Sequence, residues 1–435
     1  MRRAGAAALL ALGAAWLAAL PAQAGDPAST FAIHARPAAL GGAGMALDEP
    51  TSAPLHNPAA AALGSGLSIK LGYMFSVPLL SYNGVEADVE GVHGLSLAAA
   101  VPLLDRMVGG KRLRAALGLG LFIPDRWIAR IYLIEPTRPS FVMWEGAVNR
   151  ITAAPVLALA IGDLVSIGAG ATLLADGAGA ADLDLGFEGS QTRTDASMDL
   201  NLRLRAAPLV GIRIHPVAWV TVAGGYSGEL SMDLALDVHA DLNVPGLEGY
   251  TVVSIRGTND YTPPSAWAAV AVHPAHWLDL HFQATYVMWH RANPFYADLR
   301  MLIDLGEGPS VLGGIAPPGK LKDRWVIAAG LEGRIPVLQG CTLALRGGYQ
   351  YRPTPVLDQT GWTSYADSDV HLASAGLGFA TWENRAVQLR VAWAFQMHRI
   401  VERTVEKDED VFFDTGYTIE GWVLASMLDL ELTFR

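Results

Sequence analysis

The sequence is poor in several features on which soluble proteins depend. Cys341 is its one cysteine in 435 residues, so no disulfide forms within the chain, and stability in an oxidising compartment has to come from non-covalent packing. Charged residues make up 17% of the chain, well below the roughly 25% of an average soluble domain. The net charge of −11 argues against nucleic acid or an anionic lipid surface as the main partner.

Long apolar runs are also scarce. The first one, residues 4–20, follows Arg2 and Arg3 and precedes Ala22-Gln-Ala24, a pattern typical of a cleaved signal peptide over residues 1–24. An uncleaved anchor helix is the alternative. No second run reaches the about 20 apolar residues that a spanning helix needs. Because 51% of the chain is hydrophobic and a bilayer accepts only helices or closed sheets, the composition favours a barrel.

The remaining chain alternates with a period of two, which is typical of strands. Around residues 278–288, Leu280 and Phe282 point to one face while Asp279 and His281 point to the other, as lipid outside and water inside require. Alternation bounded by turn residues predicts fourteen strands: 66–77, 92–102, 111–123, 147–161, 164–175, 196–215, 218–236, 262–273, 277–289, 322–335, 340–351, 370–381, 386–400 and 417–434.

The connections between these strands alternate between short and long, with six short and seven long. The longest of the short set is 103–110. In bacterial outer-membrane barrels the short turns face the periplasm, so we predict an all-β, 14-stranded antiparallel transmembrane β-barrel over residues 66–435, with both termini periplasmic. The expected location is the outer membrane, and the expected partners are its lipid and the barrel assembly machinery. We expect a monomer.

Residues 25–65 do not follow the barrel pattern, because they are rich in Ala, Gly and Pro. A fourteen-stranded barrel encloses more space than its own side chains fill. We therefore predict that this segment forms a hatch, or plug, inside the lumen. A disordered periplasmic tail is the alternative.

Three stretches carry a family resemblance. They are Gly41-Gly-Ala-Gly44 with Asn57-Pro58-Ala59; Tyr261-Thr-Pro-Pro-Ser-Ala-Trp267 followed by 277–289; and Leu345-Arg-Gly-Gly-Tyr-Gln-Tyr-Arg-Pro-Thr-Pro355 with Asp367-Ser-Asp369 and 374–378. In these the chain resembles the long-chain fatty acid transporter family of outer-membrane proteins, the FadL/TodX type. The resemblance implies a fourteen-stranded barrel with a hatch that includes Gly44, Asn57 and Pro58, and we expect Asn57 and Pro58 to fix this hatch near the first strand. It also implies passive uptake of fatty acids or hydrocarbons, with lateral release through the wall.

A carboxylate cargo of this kind would be oriented by inward arginines, whose fork-shaped guanidinium group suits carboxylates. The inward faces of the predicted strands carry several basic residues, and we select Arg346 and Arg390 first, with Arg203 and Arg205 as further candidates. The alternative is that such residues pair with inward carboxylates and only line a solvated lumen. Gly118 and Gly120 are expected to weaken the third strand and so favour an opening there.

Two predicted loops are unusually apolar. Loop 124–146 carries Trp127, Tyr132, Phe141 and Trp144, and loop 290–321 carries Phe295 and Tyr296. An apolar surface on loops that face water predicts a capture groove for hydrophobic cargo, although the loops can instead bury these side chains against each other.

The residue spacing points to no cofactor, metal site or catalytic set, so we expect a transporter rather than an enzyme. A general diffusion porin and a structural or enzymatic barrel stay open as alternatives.

Overall fold

The fold is known from a computed structural model of the chain. It describes residues 23–24, 26–125, 139–145, 151–188, 191–244, 247–292, 298–304, 310–312, 321–361, 363–381, 386–408 and 416–434. Within these ranges, 23–24, 145, 175–188, 191–203, 232–244, 247–249, 251, 253–260, 298–301, 303–304 and 311–312 are described by the backbone alone.

Fourteen strands form the wall in the described residues. They are β1 (Leu67–Tyr82), β2 (His93–Val108), β3 (Lys111–Pro124), β4 (Thr152–Ile161), β5 (Val165–Glu188), β6 (Gln191–Val217), β7 (Val220–Ser227), β8 (Ser265–Ala275), β9 (Leu278–Val287), β10 (Arg324–Leu338), β11 (Cys341–Arg352), β12 (Val370–Thr381), β13 (Val387–Val405) and β14 (Tyr417–Phe434).

Each wall strand pairs in antiparallel fashion with the next one along the chain. The ring closes where β1 pairs with β14, from Leu67 opposite Phe434 to Tyr82 opposite Ile419. Because the ring is closed, every wall strand has a paired neighbour on each of its two sides. A sheet in a bilayer requires this, because lipid offers no hydrogen-bond partner to a free edge. The predicted closed 14-stranded antiparallel barrel is therefore confirmed.

The two faces of the wall differ as the alternation predicted. In β1, Ile69, Leu71 and Phe75 are exposed, whereas Lys70 and Met74 are buried. The same pattern holds in β9 and β13, where apolar side chains point outward and polar ones inward. The outer face is thus suited to lipid and the inner face to a polar, filled interior.

The short connections lie at one end of the barrel, which we call the turn side. The connection between β2 and β3 was predicted to span 103–110, and this is wrong. Strand β2 continues to Val108, so the turn consists of Gly109 and Gly110, with φ angles of 56° and 76°. Two adjacent positive φ angles define the tight hairpin turn that glycine accommodates most easily.

At the opposite end, the loop side, several predicted loops are strand instead. Most of 176–195 belongs to β5 and β6, and the described residues of 237–261 belong to an outer hairpin of Leu230–Val244 and Leu247–Thr262. Further short strands are Gln23–Ala24, Val85–Glu86, Asp298–Asp304 and Ser310–Leu312. A strand that has left the membrane has water on both faces, so its sequence loses the alternation while its backbone ladder continues.

An inner segment, residues 26–66, precedes β1. It contains helices α1 (Pro27–Phe31) and α2 (Ala35–Ala39) and the 3₁₀ turns Ala53–Leu55 and Pro58–Leu63. Helix α3 (Val142–Glu145) and the 3₁₀ turn Trp289–Arg291 lie at the loop side. Among the described residues, no helix has both the length and the apolar character needed to cross a membrane.

Candidate functional site

The inner segment lies against the inward face of the wall. It forms hydrogen bonds with separate strands of the wall: the Ala35 amide donates to Asp429 of β14 at 2.8 Å, and Gln350 of β11 donates to the Gly41 carbonyl at 3.1 Å. Most of its residues are buried. These contacts place the segment inside the lumen.

Glycines of the wall make room for this segment. A Cβ on Gly168 of β5 would lie 2.3 Å from the Pro58 carbonyl carbon, and one on Gly118 of β3 would lie 3.0 Å from the Pro54 side chain. Gly118 and Gly120 were expected to weaken pairing in β3, but the ladders on both sides of β3 run through them unbroken. Their role in the structure is clearance, not a gap in the wall.

Asn57 holds the second 3₁₀ turn in place. Its Oδ1 accepts from the Ala59 amide at 3.1 Å and its Nδ2 donates to the Met45 carbonyl at 2.9 Å. A Cβ on Gly211 of β6 would lie 2.1 Å from that Oδ1. Asn57 and Pro58 were expected to fix the segment near β1, but they lie against β5 and β6.

A network of ion pairs ties the inner segment to the turn side of the wall. Arg36 of α2 pairs with Glu332 of β10 at 2.8 Å. The ammonium of Lys70 on β1 contacts the carboxylate of Glu49 and lies 3.4 Å from that of Glu431. These groups line a cavity of about 270 Å³ whose charged side chains carry both signs.

The carboxylates that the inner segment contributes to this network are held in their charged form. Burial by itself would raise the pKa of Glu49, but the neighbouring Lys70 and Arg36 hold it well below its usual value. The pKa of Asp48 is likewise lowered, because Arg36 and two wall arginines outweigh burial. The network therefore consists of charged pairs at neutral pH.

Arg346 and Arg390 lie on the inward face, as predicted, and both engage carboxylates. The Arg346 Nε donates to Glu332 at 2.7 Å, and Arg390 lies 3.2 Å from Glu431. These are the ion pairs that the sequence analysis kept as the alternative to cargo binding. Of the further candidates, Arg205 is exposed near the loop side and the Arg203 side chain lies outside the described residues.

A second cavity, of about 160 Å³, lies on the loop side of the inner segment. Its lining combines apolar and aromatic residues, among them Met45, Trp267 and Trp289, with a similar number of polar ones, most of them uncharged. Residues of α1 form part of its wall. The inner segment thus lines both cavities, one toward each end of the barrel.

Two arginines bring positive charge into this loop-side cavity. The Arg324 guanidinium lies 5.5 Å from the ring centre of Trp289, and that of Arg352 lies 5.0 Å from the ring of Trp144. Asp367 also lines the cavity and accepts from the Thr354 hydroxyl at 2.6 Å. The carboxylate of Asp26 lines the cavity as well, so two guanidinium cations and two carboxylates are part of the lining.

The remaining titratable lining groups add little charge. Burial lowers the pKa of His56 to about 4, so this side chain is neutral at pH 7. Burial also raises the pKa of Asp367, and the nearby arginines counteract this rise only in part. Positive charge in the cavity therefore comes from Arg324 and Arg352.

The predicted capture residues fall into two groups. Trp127, Tyr132, Phe295 and Tyr296 lie outside the described residues. Phe141 and Trp144 were expected on an exposed loop surface, but they are buried: Trp144 packs against Phe31 of α1 and His398 of β13, with ring centres 6.2 and 5.5 Å apart. Helix α3 thus contacts the inner segment.

The sequence analysis missed Arg324, Arg352 and Asp367. The sequence did indicate Arg352. It lies two residues after Gln350 and therefore on the same, inward face of β11, and it falls within the stretch that carries the family resemblance. Arg324 is the first residue of β10 and follows a loop, so alternation does not predict which face of the wall its side chain lies on. Asp367 comes from a connection without periodicity, so its position follows only from the folded chain.

These observations define a class: a closed membrane β-barrel with an internal segment that lines a highly charged cavity on one side and a cavity with few charges on the other. The family model described as outer membrane protein transport protein (OMPP1/FadL/TodX) matches residues 14–434. The chain belongs to this family and is an outer-membrane transport barrel.

Solved structures show the same fold at low identity. A FadL homologue from Pseudomonas aeruginosa superposes with a TM-score of 0.55 and 18% identity over 96% of this chain and 99% of its own. The CymD monoaromatic hydrocarbon channel gives 0.51 and 13% over 93% and 98%. The Pseudomonas putida toluene transporter TodX gives 0.50 and 13% over 94% and 99%. The search of curated proteins finds no match.

Proposed function

We propose that this protein takes up hydrophobic small molecules across the outer membrane, and that long-chain fatty acids are its cargo. The observation that carries the proposal is the loop-side cavity, where apolar and aromatic side chains such as Trp267 and Trp289 line the same space as Arg324 and Arg352. Apolar walls desolvate an alkyl chain, and a few placed polar groups orient its head. The proposal involves no catalytic step.

The charge balance of the cavity favours a carboxylate head. Buried cations are costly unless they are paired, and neither Arg324 nor Arg352 forms an ion pair with a carboxylate among the described residues. The Arg324 Nε is buried and has no hydrogen-bond partner there. A fatty carboxylate brings a negative charge to these groups, and guanidinium groups bind carboxylates through short, charge-assisted hydrogen bonds. Binding would therefore complete the pairing inside the cavity.

The size of the cavity ties binding to the inner segment. At about 160 Å³ it is smaller than the ~300–1,000 Å³ of typical ligand sites. Since α1 residues form part of its lining, a long chain has to displace α1 in order to enter. We infer that this displacement is the gating step of the hatch, with the termini periplasmic and release through the wall.

Aromatic hydrocarbons are the second candidate cargo. An apolar cavity of about 150 Å³ is sufficient for benzene, so a single ring fits without movement of α1. Two of the structural relatives are described as a monoaromatic hydrocarbon channel and a toluene transporter. The two candidates differ in their dependence on the arginines.

Competition binding separates these candidates. The purified protein is titrated with a fluorescent long-chain fatty acid, which is then displaced by oleate, toluene or a neutral alkane. We expect oleate to displace the fluorescent fatty acid best. R324Q or R352Q is expected to weaken oleate binding by roughly 10- to 100-fold, because each variant loses a hydrogen bond to a charged group.

R346Q and R390Q are the matched variants on the turn side. They test the sequence prediction directly, because weaker binding in these two alone would move the head site to the turn-side cavity. Displacement by toluene and oleate alike, with no effect of R324Q or R352Q, would favour the hydrocarbon channel. The absence of saturable binding would favour a diffusion porin.

A further inference from the structure

The end of the β2–β3 hairpin, residues 101–113, is set apart from the rest of the wall at the turn side. Pairing between β1 and β2 ends at Ala100, and pairing between β3 and β4 starts at Leu113. The ladder between β2 and β3 nevertheless continues to Val108 opposite Lys111. We call residues 101–113 the β2–β3 tip.

The outer face of this tip continues the lipid-facing surface. Val101 and Leu117 lie opposite each other on that surface. The register shifts at Leu103. Beyond this bulge, two outward pairs follow: Arg106 opposite Leu113, and Val108 opposite Lys111. Leu103 and Val108 are 58% and 59% exposed. Apolar side chains and two cations therefore extend the lipid-facing band at its turn-side edge.

The cations on the two faces of the tip differ in their partners. On the inner face, Arg112 makes a two-pronged contact with Asp105, and Arg114 lies 2.8 Å from Asp163. On the outer face, no carboxylate in the described part of the chain forms an ion pair with Arg106 or Lys111. The outer face therefore carries two positive charges that no carboxylate of the described residues balances.

Arg106 and Lys111 occupy a diagonal position across the hairpin. Diagonal neighbours lie about 7–8 Å apart between their backbones, within reach of long side chains. Both side chains have flexible apolar stems that lie along lipid while the charged ends turn to the surface. One phosphate placed between their ends contacts both.

We propose that the outer face of the β2–β3 tip binds the headgroup of an acidic phospholipid. The phosphate lies between Arg106 and Lys111, and the acyl chains lie along Leu103, Val101 and Leu117. Continuity with the lipid-facing band points to a lipid rather than a soluble molecule, and charge complementarity points to an anionic headgroup. This site is independent of the cargo cavities.

Lipid selectivity of the whole protein tests the proposal. The protein is placed in nanodiscs of phosphatidylcholine with a minor fraction of phosphatidylglycerol, and its retained lipids are counted by native mass spectrometry. We expect phosphatidylglycerol to be enriched on the order of tenfold over its share, the effect of two cations near a membrane surface, and the R106Q/K111Q variant to lose most of this enrichment.

R112Q is the matched control, because it removes one cation of the same hairpin from the opposite face, and it is expected to keep the enrichment. Equal retention of the two lipids by the wild type, or full enrichment in R106Q/K111Q, overturns the proposal. An environment-sensitive dye at V108C, in a C341S background, gives a second measurement: its emission has to shift to the blue when phosphatidylglycerol replaces phosphatidylcholine.

Discussion

Single glycines determine how closely the inner segment approaches the wall. A Cβ on Gly348 of β11 would lie 2.2 Å from the Gly41 nitrogen and equally close to the Leu40 carbonyl carbon. Both atoms are backbone, so they cannot rotate away as a side chain does. At the neighbouring Gly347 the nearest atom, the Ser374 carbonyl oxygen, lies 3.9 Å away.

This difference makes G348A and G347A a matched pair. We expect G348A to displace the inner segment and to destabilise its packing against the wall by about 1–3 kcal/mol, because this is the usual cost of overpacking. G347A has only ordinary contacts and is expected to behave like the wild type. Hydrogen exchange of residues 35–45 checks this: equal protection in both variants would show that the close approach is not maintained in solution.

The inward or outward direction of a side chain was predictable from the alternation of its own strand, whereas its contacts with another element were not. Parity along β11 and β13 placed Arg346 and Arg390 on the inward face. Pairing with inward carboxylates, Glu332 and Glu431 among them, was the alternative to cargo binding, but the carboxylate that each arginine contacts was not predictable, because partners on neighbouring strands depend on register. Arg36 was also out of reach, since it comes from a segment without periodicity.

At the level of elements, the inner segment is the part whose removal has the clearest consequence. It bonds to strands around the lumen and lines both cavities. Deletion of residues 26–60 is therefore expected to join the two cavities and raise ion conductance in planar bilayers. Heat-modifiable gel migration controls for a folded barrel, and unchanged conductance of a folded deletion variant would contradict a plug.

The strands themselves were largely predictable, because lipid on one face and water on the other impose alternation. Their ends were not predictable at the loop side. Once β5 and β6 leave the membrane, both faces meet water and the pattern disappears although the ladder continues to Glu188 and from Gln191. The two-residue turn after Val108 was missed for a related reason: Arg106 and Lys111 interrupt the apolar face at the membrane surface.

At the scale of the whole molecule, the inner segment divides the lumen into chemically different halves. The loop-side cavity has apolar, aromatic and uncharged polar side chains with few charges, whereas most of the turn-side lining is charged and joined by ion pairs. An alkyl chain is stabilised in the first and not in the second, because a charged lining stays hydrated and offers little apolar surface. This asymmetry agrees with release through the wall rather than along the barrel axis.

Uptake of labelled oleate by whole cells is the most direct test of the account. The protein is expressed in a double-membraned host that lacks its own outer-membrane route for fatty acids, beside the R324Q/R352Q variant at equal surface levels. The account predicts that the wild type restores oleate uptake and that the double variant loses most of it. Oleate uptake that is equal in the two, or no faster than in cells without the protein, would contradict it.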